Sequence, residues 1–177
     1  ALHSSTKERL LFYEKLYTQL FAITEKPKVI LDIGCGLNPF SLPLMKLSRV
    51  HYYAYDLSEE EISLLNYFFT LIKKTHPSIL GQAQILDIFG AIDYLPPADI
   101  CFLFKMTDVL DRGKGHKKTE EMLKHLPAKY VVISFPTRTM SDKKMNVPRR
   151  PWMEWLCGRL KYEYTILEFE NEIFYVV

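Results

Sequence analysis

Three cysteines are spread over 177 residues, and their placement excludes two classes at once. Cys35, Cys101 and Cys157 are odd in number, far apart and without metal-ligand spacing, so neither a disulfide framework nor a zinc cluster fits. Cys35 and Cys101 stand in apolar, strand-like surroundings, where a small buried thiol is the ordinary outcome. No apolar run reaches membrane-spanning length, and the amino-terminal segment is amphipathic and charged, unlike a signal peptide; a cytoplasmic protein with no membrane partner is expected. Charge of one sign is also scarce: a formal net charge of +2 does not by itself point to a polyanionic partner. Internal repeats and low-complexity linkers are missing too. What remains is a chain with 48% hydrophobic residues, suited to one well-packed α/β domain spanning residues 1–177.

Apolar runs alternate with longer periodic segments, the pattern of βαβ units. A leading helix is expected over 5–23, with Ser5 and Glu8 as a capping box, followed by a core over 28–177. Strands are expected at 28–33, 52–56, 83–87, 99–105 and 130–135. Helices should follow Pro39, run from Ser58 (capped with Glu61) to about 74, and occupy 119–126 and 152–160. The last two strands, 162–169 and 172–177, are separated by little more than Glu170-Asn171 and so must form an antiparallel hairpin. Together these describe a doubly wound, mainly parallel seven-stranded sheet with a terminal antiparallel hairpin, the Rossmann-like arrangement used by methyltransferases.

Glycine is rare, with 7 in all, yet two of them fall together where the first strand ends. Residues 29–33 are apolar but for Asp32; Gly34-Cys35-Gly36-Leu37-Asn38-Pro39 follows, with Asn38 able to cap and Pro39 suited to a first helical position. A strand, a tight turn and a helix start of this kind form a nucleotide-cofactor loop. The third glycine of the dinucleotide fingerprint is missing, which argues against NAD and FAD. An acidic residue inside the strand suits S-adenosylmethionine (SAM) better. In an open α/β sheet, ligands bind beyond the carboxyl ends of the strands, and these ends supply Gly34, Asp56, Asp87, Lys105 and Phe135-Pro136. Asp56 follows the glycine turn by roughly the twenty residues expected of a ribose-binding carboxylate. Asp87 stands where a carboxylate can accept from an adenine amine. Each aspartate alone reads equally well as a cap or turn residue.

Lys105 closes an apolar run and reads either as a snorkelling lysine or as a group near substrate phosphate or base. The loop 134–150 carries Arg138, Lys143, Lys144, Arg149 and Arg150 with little local acidic offset, flanked by Phe135, Trp152 and Trp155; Arg112, Lys114, Lys117 and Lys118 form a second basic cluster. Charge interleaved with aromatics favours RNA contact over a merely solvated surface. Exocyclic-amine methylation is disfavoured because Lys105-Met106-Thr107-Asp108 replaces the Asn/Asp-Pro-Pro-aromatic motif expected after the fourth strand. Carbon-5 chemistry needs an exposed cysteine there, and Cys101 is interior to the strand.

His3-Ser4-Ser5-Thr6-Lys7-Glu8-Arg9, the glycine loop and Tyr52-Tyr53-Ala54-Tyr55-Asp56 closely resemble segments of the aminoglycoside-resistance 16S rRNA (guanine-N7) methyltransferases, the ArmA and Rmt proteins. So do Phe104-Lys105-Met106, Val131-Val132-Ile133-Ser134-Phe135-Pro136 and Asn171-Glu172, and the resemblance spans nearly the whole chain. It implies SAM-dependent methylation of guanine N7 in the decoding site of 16S rRNA, on assembled small ribosomal subunits, with S-adenosylhomocysteine as product. Guanine N7 has an in-plane lone pair and releases no proton on methylation, so no catalytic acid or base is expected; no metal is expected either, and the protein is expected to be a monomer. Carried over by position, residues His3, Ser4, Ser5, Thr6, Lys7, Glu8 and Arg9 would wrap the cofactor, Arg9 pairing its carboxylate. Gly34 would pass the methionine part, Asp56 would hold the ribose, and Asp87 with Ile88 would frame the adenine. Phe104 would pack beside the cofactor and Lys105 would face the RNA. The sequence departs from the family at Thr107-Asp108, Gly113 and residues 141–146, which concern substrate-side loops more than the cofactor cradle. Relative to that family the chain starts just after an amino-terminal helical docking domain, so an intact cofactor site with weak ribosomal docking is expected of these residues alone. The alternatives are a SAM-binding domain without independent activity, or a methyltransferase for another RNA or a small molecule.

Overall fold

The computed structural model describes residues 4–111, 115–139 and 143–177. Two helices, α1 (Ser4–Arg9) and α2 (Tyr13–Thr24), stand where one was expected over 5–23. The spacing of buried positions runs through the junction without a break, because Thr6, Arg9, Tyr13, Leu16 and Leu20 are all buried at helical intervals. The interruption comes from tertiary contact. Phe12 turns inward to stack on Phe169 at 4.6 Å, two i→i−3 bonds (Leu10 to Lys7 and Phe12 to Arg9) tighten the chain, and Leu11 is left 89% exposed. The Ser5 side chain of the proposed capping box, like His3, lies outside the described residues.

The strands are β1 (Val29–Ile33), β2 (Val50–Asp56), β3 (Ile79–Ile85), β4 (Ala98–Phe104), β5 (Ala128–Pro136), β6 (Thr165–Glu168) and β7 (Glu172–Val176). Their order is β3-β2-β1-β4-β5-β7-β6, parallel throughout except for β7, which runs against both β5 and β6. This is the doubly wound, mainly parallel sheet expected, with its terminal hairpin and its change of direction between β1 and β4. Residues of β1 and β4 are buried on both faces, which is why they read as near-continuous apolar runs. On one face α2 and α3 (Glu59–Thr75) cover Ile30, Tyr52, Ala54 and Phe102. On the other, α5 (Lys117–His125) and α6 (Pro151–Leu160) cover Leu31, Leu103, Ile133 and Tyr175. A short α4 (Thr107–Asp111) was not expected.

Local signals account for most boundaries. Ser58 caps α3 by accepting from the Glu61 amide at 3.3 Å, as its spacing with Glu61 requires. The segment Asn38–Met45 is a 3-10 helix rather than an α-helix, with Pro43 inside it removing a donor. Asn38 does not cap it; the side chain is drawn down to Asp32 instead. β3 stops before Asp87, which accepts from the Phe89 amide at 3.2 Å and caps the turn Ile88–Gly90.

Candidate functional site

A cavity of about 650 Å³ crosses the carboxyl ends of β4, β1, β2 and β3. That is within the range of small-molecule sites. Of the residues nominated from sequence, Thr6, Arg9, Gly34, Asp56, Asp87, Ile88, Phe104 and Lys105 line it. Lys7 and Glu8 are exposed and do not line it, although Glu8 reaches Lys105 at its edge; the side chains of Ser4 and Ser5 are not among those described.

The glycine loop needs its glycines for two reasons. Gly34 and Gly36 have φ of +64° and +46°, in the left-handed region that strains any side chain. A Cβ at Gly34 would also fall 2.0 Å from the Met106 Sδ. The loop is tied to β2 by the Cys35 amide, which donates to the Tyr55 carbonyl at 3.0 Å, and by the Gly36 amide, which donates to Asp56 Oδ2 at 2.8 Å. Asp56 Oδ1 accepts from the Leu57 and Ser58 amides at 2.7 and 3.3 Å. The Asp56 carboxylate therefore holds the loop and faces the cavity at once.

Asp32 behaves differently from Asp56. It is 1% exposed, does not line the cavity, and accepts from the Tyr52 hydroxyl at 2.6 Å and from Asn38 Nδ2 at 2.9 Å. Asn38 Oδ1 in turn accepts from the Tyr13 hydroxyl at 2.8 Å. Burial pushes the Asp32 carboxyl up to about 6, against the opposing pull of the Tyr52 and Asn38 hydrogen bonds. This carboxylate is scaffold: it joins α2, β1 and β2 beneath the loop.

Arg9 and Lys105 converge on one buried carboxylate that the sequence reading gave no role, Glu172. Arg9 Nε lies 2.9 Å from Glu172 Oε2 and Nη2 lies 2.9 Å from Oε1, while Ser134 Oγ also donates to Oε1. Arg9 is 3% and Glu172 0% exposed, and the guanidinium sits 4.9 Å above the Phe104 ring centroid. Burial works against the Arg9 charge, but the Glu172 carboxylate more than offsets it and holds the guanidinium above its ordinary value. Lys105, in a left-handed conformation at φ +57°, bonds Glu8 at 2.8 Å and approaches Glu172 at 3.6 Å. Expected to face RNA, it is 19% exposed and turned toward α1. A carboxylate opening the otherwise apolar run of β7 was the sequence signal for Glu172, the same signal that drew attention to Asp32 in β1.

The basic loop is less bare than its local composition suggested. Arg138 pairs with the distant Glu170 at 3.1 Å, and Arg149 with Glu154 of the following helix at 2.7 Å. Arg150 donates to the Pro148 and Pro136 carbonyls at 2.6 and 2.8 Å and covers Phe135, so it folds the loop. Lys143 and Lys144 are exposed. Of the second cluster, Lys118 lines the cavity with its Nζ 5.0 Å from the Phe89 ring, while Arg112 and Lys114 lie outside the described residues. Trp152 stacks on His116 at 3.6 Å, and Trp155 is 67% exposed. Burial pushes the Cys35 and Cys101 thiols well up, which suits packing and opposes nucleophilic use. Among the described residues no group of acidic, histidine or cysteine side chains is arranged to hold a metal, and no helix is long and apolar enough to cross a membrane.

The chain is 28% identical over 181 residues to a 16S rRNA (guanine(1405)-N(7))-methyltransferase of Proteus mirabilis, covering 99% of this chain and 62% of that protein. The solved structure of the 16S rRNA methylase ArmA superposes with a TM-score of 0.72 at 28% identity, over 99% of this chain and 86% of that one. The methyltransferase RmtF, crystallised with S-adenosylhomocysteine, shares the fold with a TM-score of 0.72 at 24% identity, over 99% of this chain and 65% of that one. The seven-stranded sheet is thus the α/β methyltransferase fold. The model of the ribosomal RNA methyltransferase (FmrO) family matches residues 1–176, and the chain belongs to that family.

Proposed function

We propose that this chain is a SAM-dependent methyltransferase acting on N7 of a guanine in the decoding site of 16S rRNA within the small ribosomal subunit, thereby conferring aminoglycoside resistance. The observation that carries this reading is the order of groups along the cavity: Arg9 over the end of β4, Gly34 after β1, Asp56 at the end of β2 and Asp87 beyond β3. A cation, a close-approach glycine and two carboxylates in that order fit the carboxylate, sulfur, ribose and adenine of SAM. The cofactor, when bound, supplies an electrophilic methyl group on a sulfonium. Arg9 would pair its carboxylate, Asp56 would accept from ribose hydroxyls, and Asp87 with Ile88 would frame the adenine. Ile33 and Phe104 give the walls an apolar character that excludes water.

Guanine N7 carries an in-plane lone pair. As it takes the methyl group, the electrons of the S–C bond stay on sulfur, and no proton leaves the base. No general base is therefore required, and the chain's contribution is base exposure, alignment and exclusion of water. The charge states are compatible with this: Asp32 lies off the cavity, and the buried thiols are held in their neutral form. RNA would meet Lys105, Lys143, Lys144 and the arginines of the loop, with the protein acting as a cytoplasmic monomer.

A second reading, a SAM-binding domain without independent activity, draws on the internal pairing of Lys105, Arg138 and Arg149. The chain also spans about 62% of the length of the Proteus mirabilis relative. Transfer of label from methyl-labelled SAM to isolated small subunits, free rRNA and protein separates the two. Label in 16S rRNA of the subunits is the outcome expected. SAM binding without transfer to any substrate would leave the second reading.

A further inference from the structure

The geometry points to Met106 as the residue that contacts the sulfonium centre of the methyl donor and distinguishes the charged donor from the neutral thioether product; this rests on the function proposed above. The cavity meets the strand ends in the order β4, β1, β2, β3. Its buried cation, Arg9, covers Phe104 at the end of β4, so the donor's carboxylate belongs there. The acceptors for ribose and for an exocyclic amine, Asp56 and Asp87, lie at the end of β2 and beyond β3. A donor stretched between these anchors has its sulfur over the remaining strand end, that of β1, where Gly34 stands.

That place is occupied by the Met106 thioether. A Cβ built on Gly34 would fall 2.0 Å from Met106 Sδ and 2.5 Å from Cε, so the methionine sulfur rests against the backbone that a donor would approach. Lys105, at φ +57°, turns the chain there, and Met106 returns across β1 to line the cavity. Methionine is unbranched, so it can swing off Gly34 and lie against an incoming ligand without moving the backbone. Its sulfur is polarisable and electron-rich; it attracts a sulfonium cation and has no comparable attraction for a neutral thioether. Cys35 is the other sulfur among the described lining residues, and its thiol is turned to the Gly36 carbonyl at 3.5 Å. Leucine would match the volume of Met106 while lacking the sulfur.

Calorimetric titration of the protein with SAM and, separately, with S-adenosylhomocysteine tests the assignment on the wild type, Met106→Leu and Met106→Ala, with thermal melting as the control for folding. The Met106→Leu variant should melt as the wild type does and lose affinity for SAM relative to S-adenosylhomocysteine by about threefold to tenfold, the scale of one polarisable sulfur contact. Met106→Ala, which opens the space over Gly34, should shift the ratio in the same direction whatever it does to either affinity alone. In turnover, the inhibition constant of the product relative to the KM for SAM should fall by the same factor. If the wild type binds both ligands and neither variant changes their ratio, Met106 merely packs against Gly34 and the assignment is wrong. If the wild type binds neither, the functional reading beneath it fails as well.

Discussion

Replacing Glu172 with glutamine should show how far the carboxyl edge of the sheet depends on one ion pair. Glu172 is 0% exposed and its only neutralising groups are Arg9 at 2.9 Å and, more distantly, Lys105 at 3.6 Å, among the described residues. Removing one partner of a buried pair typically costs about 3–5 kcal/mol, because the surviving charge stays out of water without compensation. Glutamine keeps one acceptor oxygen for the Arg9 fork but sets an amide N–H₂ group against the guanidinium or against Ser134 Oγ, so the lower end of that range, about 3 kcal/mol, is expected. For a chain of this size each kcal/mol moves the melting temperature by about 2–4 °C, which gives a drop of about 6–12 °C for Glu172→Gln. Differential scanning calorimetry reads this directly. The double variant Arg9→Met/Glu172→Gln should recover most of the loss, since no charge is left buried. A single variant that melts with the wild type, or a double variant no better than the single, would refute the claim that the pair is a mutually dependent unit.

Asp32 makes a pH-dependent prediction of the opposite kind. Its folded-state value, raised from 3.8 to about 6, means the folded protein holds this proton more tightly, so the stabilisation is full below about pH 4 and is lost as pH rises through 6. Asp32→Asn keeps an acceptor for Tyr52 and Asn38, and in melts above pH 6 it should exceed the wild type by at most about 3 kcal/mol, the difference closing toward pH 4. A variant less stable than the wild type at pH 8 would contradict this. Asp56→Ala removes acceptors for the ribose and should weaken SAM binding by about 1.5–3 kcal/mol; unchanged calorimetric affinity would take Asp56 out of the site. Replacing Lys143 and Lys144 with alanine should weaken subunit binding and flatten its salt dependence while SAM affinity stays intact. Arg150→Ala should instead lower the melting temperature, since Arg150 holds the Pro148 and Pro136 carbonyls.

The sheet was legible because β1 and β4 are apolar on both faces and because Glu170-Asn171 leaves room only for a hairpin. The glycine loop was legible because few local structures need two left-handed positions after a buried strand. The break between α1 and α2 was not, since periodicity continues across it and only the remote Phe169 turns Phe12 inward. Asp32 was singled out correctly as unusual, yet its partner Tyr52 comes from β2, and Asn38 links it on to Tyr13 of α2; only these contacts reveal that it supports the loop from below. The charge of the loop around Arg138 and Arg149 misled for a similar reason. A count over 134–150 sees the arginines, whereas Glu170 reaches Arg138 through the fold and Glu154 stands just past the loop in α6. Glu172 acquires its meaning from Arg9, 163 positions away in sequence, a separation no local pattern can span.

The central claim is methylation at N7 of a decoding-site guanine, and a chemical property of that product tests it most directly. Methylation at N7 places a positive charge on the purine ring and makes the nucleotide open to reductive strand scission, which methylation on exocyclic nitrogen or ribose does not. Small subunits incubated with the protein and SAM, then reduced, cleaved and read by primer extension, should give one new stop, at a guanine of the decoding site, that disappears when SAM is omitted. Labelled 16S rRNA that resists scission, or a stop outside the decoding site, would contradict the proposed reaction.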